Sequence, residues 1–125
     1  MNKKIISTDK APAAIGPYSQ AVEAGGFVFA SGQIPIDPAT GNIPEGIEAQ
    51  ARQALTNVKN LIEAAGLTLE AVVKTSVFIR NMDDFAKVNE IYAQFFTDRY
   101  PARSCVEVSK LPKDVLIEVE VIAAR

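Results

Sequence analysis

Between Pro101 and Val121 the chain reads PARSCVEVSKLPKDVLIEVEV, so an arginine, a cysteine and several glutamates interrupt the runs of valine. Arg103 offers a planar guanidinium whose two parallel N–H donors match a carboxylate, although a surface arginine with an ion-pair partner reads the same way in isolation. Glu118 could hold and deprotonate a water, or simply pair with a lysine or arginine. Cys105 has nothing nearby that clearly lowers its thiol pKa, so it reads as a small buried hydrophobe whose backbone carbonyl is a better candidate than its sulfur. Upstream, Tyr18 follows the rigid Gly16-Pro17 pair, which could hold a phenol over a cleft, although a lone tyrosine reads equally well as core. Ser31-Gly32 ends an apolar run where glycine permits close approach to the backbone. Asn89 lies inside an apolar helical pattern and needs a hydrogen-bonding partner.

What the chain lacks narrows the chemistry. It has no histidine, which excludes a Ser-His-Asp triad, a Cys-His dyad and a histidine-ligated zinc. Its single cysteine can form neither an intrachain disulfide nor a thiolate cluster. No GxGxxG and no GxxxxGK[ST] is present, so the usual dinucleotide and phosphate cradles are missing. With a formal net charge of −2, a pI near 5.1 and no Lys/Arg run, the composition suggests no nucleic-acid-binding face. No stretch approaches a signal peptide or a membrane span, and a reducing, cytoplasmic setting is the default expectation.

Those residues must be positioned by one domain, since 125 residues supply one ordinary core. Short strands are expected near Lys4–Ser7, Gln20–Ala24 and Phe27–Ser31, the last two joined at Gly25-Gly26 as a hairpin. Ile47, Ala51, Leu55, Val58, Ile62 and Ala65 recur at helical period, and Gly66 sits where a C-terminal glycine belongs. The β-branched run Ala71–Asn81 predicts a strand. Asp83 or Asp84 can then cap a second helix, striped by Phe85, Val88, Tyr92, Phe95 and Phe96, that must stop before Pro101. Two final strands, about Arg103–Ser109 and Val115–Ala123, are expected to pair as an antiparallel hairpin through KLPKD. The order βββαβαββ predicts an α+β fold, a mixed sheet with both helices on one face.

Strand alternation assigns Val115, Ile117, Val119 and Val121 to one face of the last strand, and Leu116, Glu118, Glu120 and Ile122 to the other. In the preceding strand Ser104, Val106 and Val108 oppose Arg103, Cys105, Glu107 and Ser109. Placing the valines of both strands under the helices puts Arg103, Cys105, Glu118 and Glu120 together on the opposite face. Two helices cover only one face, so the second, with its Phe, Leu and Ile, is expected to meet another subunit.

In combination, APAAIGPYSQA (11–21), ASGQIP (30–35), QARQALTNVKNLIEAAG (50–66), VVKTSVFI (72–79), DFAKVNEIYAQFF (84–96) and PARSCVEVSKLPKDVLIEVEVIA (101–123) resemble the reactive-intermediate deaminase family, RidA/YjgF, over nearly the whole chain. The resemblance implies a chorismate-mutase-like α+β fold assembled as a homotrimer with clefts between subunits. It also implies hydrolysis of enamine and imine intermediates, such as 2-iminobutanoate and 2-iminopropanoate, to 2-oxo acids and ammonia, without a cofactor or metal. Carried over, Arg103 would clamp the substrate carboxylate, Glu118 would activate water, and the Cys105 carbonyl would contact the substrate nitrogen. Tyr18, Ser31, Gly32 and Asn89 would line the cleft. Ser109-Lys110 and a short link from Phe96 to Pro101 depart from the pattern of relatives. Two other functions compete. One is a non-catalytic small-molecule-binding regulator of amino-acid or purine metabolism using the same cleft. The other is RNA cleavage or translation inhibition, which the acidic pI, the lack of histidine and the missing basic–aromatic patch disfavour.

Overall fold

The computed structural model describes residues 2–125, which fold around a six-stranded sheet. Strands β1 (Lys4–Ile6), β2 (Ala21–Ala24) and β3 (Phe27–Gln33) form an antiparallel meander. Gly25 and Gly26 make the β2–β3 turn with φ of 61° and 82°, the left-handed pair that a two-residue hairpin requires. Helix α1 (Ile47–Ala64) follows, then β4 (Val72–Ile79), helix α2 (Phe85–Phe95), β5 (Ala102–Glu107) and β6 (Ile117–Ala124).

The apolar stripe of α1 is buried as expected, and it packs over β3 and β6. Its end is a left-handed glycine cap: Gly66 has φ 81° and donates to the Glu63 carbonyl, while the Leu67 N–H reaches back to Ile62. The start of α2 differs from expectation. Neither Asp83 nor Asp84 caps it with a side chain. Instead Asn81 accepts from the Asp83 N–H at 2.9 Å and starts a short 3-10 turn, Met82–Asp84, that runs into the helix.

The expected β5–β6 hairpin does not form. The strand order is β1-β2-β3-β6-β4-β5, so β4 lies between the two final strands, parallel to β5 and antiparallel to β6. The connection over α2 brings β5 to one edge of β4, which leaves β4's other edge to be filled. β6 enters that slot and pairs with β3 and β4 at once. Both flanks of the last connection are tied to the end of β4, by Val108 N–H to Ile79 O at 2.8 Å and Arg80 N–H to Leu116 O at 3.1 Å.

This order also corrects the faces. Ile117, Val119, Val121 and Ala123 of β6 lie under the helices with Thr75, Val77 and Ile79 of β4. The β4–β5 register sets Thr75 beside Arg103 and Val77 beside Cys105. Arg103 and Cys105 therefore share the helix-covered face, while Ser104 and Val106 share the open one. Position parity within β5 was right, but the valine face is not the buried face: Val106 is 45% exposed and Cys105 packs against the core. Glu118 and Glu120, opposite Phe78 and Ser76, remain on the open face as expected.

Candidate functional site

The candidate residues fall in two separate clefts on opposite faces of the sheet. The first, about 620 Å³, is lined by Ile15, Tyr18, Ser31, Gly32, Lys113 and Glu118 among others. The loop that carries Tyr18 is held by one buried side chain. Gln20 accepts from Thr8 N–H at 2.7 Å and donates to the carbonyls of Thr8 and Pro12 at 3.0 and 2.8 Å. Ser31 fixes the same loop by donating its hydroxyl to the Ser19 carbonyl at 2.6 Å. The Ser31 Oγ proton is thus committed to the fold, and what this residue offers the cleft is chiefly its placement.

Gly32 lies where β3 breaks register against β6, between the Ala30–Val121 and Gln33–Val119 pairs. A Cβ at this position would overlap Glu118 Oε2 and lie 2.8 Å from its Cδ. Without that carbon, the Glu118 carboxylate rests against the bulged backbone. Half-burial and, secondarily, the Glu120 carboxylate raise the Glu118 pKa above the ordinary carboxylate value. A carboxyl so placed is a stronger base than one in water once it is ionised.

The second cleft, about 440 Å³, is lined by Asn89, Tyr92, Ala93, Tyr100, Pro101 and Arg103. Asn89, which needed a partner inside α2, accepts from Arg103 Nη1 at 2.7 Å. The guanidinium lies 4.8 Å from the ring centre of Tyr92 and 5.3 Å from that of Phe85. Cys105 follows on the same face of β5. Burial pushes its thiol pKa up, against the smaller opposing effect of Arg103, so the sulfur is a protonated, poor nucleophile. Among the described residues β5 is an edge strand, and the backbone groups on its outer side have no strand to pair with.

The structure thus brings Tyr18, Ser31, Gly32 and Glu118 together, and separately Asn89, Arg103 and Cys105. It does not bring Arg103 beside Glu118, because β4 separates their strands and the two side chains leave opposite faces. Sequence reasoning missed Tyr92, which was read only as part of an apolar stripe; its i+3 spacing from Asn89 was the available signal. Lys113 was missed as well. It lies in the expected connection but with φ 56°, lining the Glu118 cleft. Among the described residues, no three His, Cys, Asp or Glu side chains gather into a metal-ligating group, and no helix is long and apolar enough to cross a membrane.

A family model for Endoribonuclease L-PSP matches residues 8–125. The chain is 58% identical over 125 residues to a 2-iminobutanoate/2-iminopropanoate deaminase of Salmonella typhimurium, covering 98% of each protein. Among solved structures, Escherichia coli TdcF with bound serine superposes with a TM-score of 0.95 at 54% identity, covering 98% of each chain. The E. coli YjgF gene product gives a TM-score of 0.95 at 55% identity, again with 98% of each chain covered. With a family match across nearly its full length and relatives this similar, the chain belongs to the Endoribonuclease L-PSP family, the RidA/YjgF proteins.

Proposed function

We infer that this chain is a hydrolytic deaminase that converts 2-iminobutanoate and 2-iminopropanoate to the 2-oxo acids and ammonia. The relatives named for that activity support the assignment, and one observation carries it to these residues. The chain holds a guanidinium suited to a carboxylate and a carboxylate suited to activating water, each in its own incomplete cleft.

The open face of the sheet supports assembly as the way to unite them. Ile5, Val22, Phe29 and Ile122 stand in one row across it, and Ile5 and Phe29 are 54% and 45% exposed. Such a surface favours burial against another copy. In the proposed homotrimer, each working cleft takes Arg103, Asn89 and Cys105 from one subunit and Tyr18, Ser31, Gly32 and Glu118 from its neighbour.

Arg103 then receives the substrate carboxylate on two parallel N–H groups. The Cys105 carbonyl accepts from the iminium N–H and favours the protonated, electrophilic form. Glu118 takes a proton from water as its oxygen bonds to the imine carbon, giving a tetrahedral carbinolamine. The same carboxyl returns the proton to nitrogen. The C–N bond breaks, ammonia leaves, and Glu118, ionised again, takes the hydroxyl proton to leave the 2-oxo acid, then passes it to the departing ammonia. An iminium carbon hydrolyses unaided in water, so positioning and one general base, typically worth about 10²–10⁴-fold, suffice.

The test is release of 2-oxobutanoate from 2-iminobutanoate generated in situ by threonine dehydratase, with semicarbazide trapping the surviving imine. Faster release with wild type, lost in Arg103→Ala, supports the reading. Trapped imine accumulating at the uncatalysed rate sinks it, and retained binding of 2-oxobutanoate would then favour a non-catalytic ligand sensor.

A further inference from the structure

Among the described residues, Arg103 has no counter-ion. None of the ion pairs among the described residues includes it, and its protein hydrogen bond goes to a neutral amide, Asn89 Oδ1. A flexible arginine on an edge strand would ordinarily sample many rotamers, each binding event then costing the entropy of ordering it. Here neutral groups hold the guanidinium and leave its charge unspent.

The most firmly built of these groups is Tyr92. It is buried beneath the guanidinium, 4.8 Å from ring centre to Cζ, and its ring packs on Phe96 at 4.6 Å between ring centres. Its hydroxyl shares a 2.8 Å hydrogen bond with Thr75 Oγ1, and Thr75 is fully buried. Thr75 is also the β4 residue paired with Arg103 across the sheet. The anchor of the ring and the root of the arginine therefore stand on the same rung. Thr75 fixes the ring from below, the ring supports the guanidinium, and Asn89, one helical turn before Tyr92, sets its rotation through Nη1.

We propose that Tyr92, pinned by Thr75, is a positioning residue that acts through Arg103: its ring face pre-orients the guanidinium and leaves the Nε–Nη2 edge for the substrate carboxylate. The proposal deepens the deaminase reading and rests on it for the identity of the substrate. The aromatic platform itself is a property of the folded chain and is measurable without turnover. A ring is suited to the task because it attracts a cation without neutralising it, whereas a carboxylate in the same place would compete with the substrate.

The experiment compares wild type, Tyr92→Phe and Tyr92→Leu by three readouts. These are kcat and KM for 2-iminobutanoate, affinity for 2-oxobutanoate as a stable anionic probe, and NMR relaxation of the Arg103 Nε–H bond. Tyr92→Leu is expected to weaken probe affinity by about 3- to 30-fold, the range of a cation–π contact, with KM rising more than kcat falls. Arg103 Nε–H should become mobile. Tyr92→Phe, which keeps the ring, should restore affinity to within a few-fold and keep Arg103 rigid. If Tyr92→Leu does not fold, increasingly fluorinated phenylalanines at position 92 weaken the ring's negative face while closely preserving its shape. Probe affinity should then fall stepwise with fluorination. The proposal is overturned if Arg103 stays equally rigid and affinity is unchanged in folded Tyr92→Leu, or if fluorination has no effect. Absence of imine hydrolysis by wild type would instead overturn the deaminase reading, while the Arg103 relaxation comparison would still decide the platform.

Discussion

The Glu118 carboxylate occupies space that any side chain at Gly32 would need: a Cβ there would lie 2.8 Å from Cδ and 3.0 Å from Cγ of Glu118. Gly32 has no left-handed φ, so the requirement is room and not backbone freedom. Gly32→Ala should push the carboxylate off the bulge. Since a misplacement of about 1 Å can cost about 10²-fold, kcat/KM should fall by roughly 10- to 100-fold. Steady-state kinetics beside a thermal melt would check this, the expected pattern being a large kinetic loss with a small change in Tm.

Glu118→Gln should lower kcat by about 10²–10⁴-fold, the worth of a general base, while 2-oxobutanoate still binds. A binder without chemistry would keep its ligand and have no activity to lose.

The raised pKa of Glu118 gives two pH signatures. Activity should fail on the acid side at a pH above the ordinary carboxylate value, and Glu120→Gln should move that limb lower by removing a neighbouring negative charge. Stability follows the same linkage. A carboxyl whose pKa is higher folded than unfolded contributes stability below its unfolded pKa, and that contribution is lost as pH rises through the folded pKa. Glu118→Gln cannot ionise, so it should melt above wild type at neutral pH and converge with it on acidification. Melts across pH would test this; a Gln variant less stable than wild type at pH 7 would contradict it.

Arg103→Lys should behave almost as badly as Arg103→Ala. A lysine retains the charge but offers a point donor in place of a planar fork, and its strongly hydrated ammonium is a poorer match for the ring platform. Loss of charge-assisted hydrogen bonds worth about 1.5–3 kcal/mol predicts roughly 10- to 150-fold lower kcat/KM, seen mainly in KM.

The proposed sharing of sites between subunits predicts complementation between inactive variants. Arg103→Ala and Glu118→Gln subunits, unfolded and refolded together in equal amounts, should regain up to about a quarter of wild-type activity. In a cyclic assembly that is the chance that a random interface combines both intact residues. No recovery in a confirmed mixed oligomer would show that the two residues do not serve one shared cleft. Phe29→Glu, placed on the open face, should produce smaller species by sedimentation and lose activity with both clefts intact.

Much of the scaffold was legible from local chemistry. The α1 stripe, its Gly66 cap, the Gly25-Gly26 turn and the buried face of β6 each depend on residues close in sequence, where periodicity and left-handed φ act directly. The resemblance of PARSCVEV and its companion motifs supplied the family. Asn89's need for a partner was legible too, since an amide inside an apolar helix seldom goes unbonded.

The placement of Arg103 relative to Glu118 was not. Alternation says which residues of a strand share a face, but it cannot say which face meets the helices when both carry apolar groups, as Cys105 and Val106 do in β5. Nor does proximity in sequence make β5 and β6 neighbours. The crossover through α2 brought β5 to one side of β4, and β6 satisfied the backbone donors and acceptors left on the other. The residues and their chemistry are local properties of the chain. Their division between two faces of one sheet is decided by strand order, because hydrogen-bond pairing across the whole sheet sets which strands are adjacent and so where each side chain points.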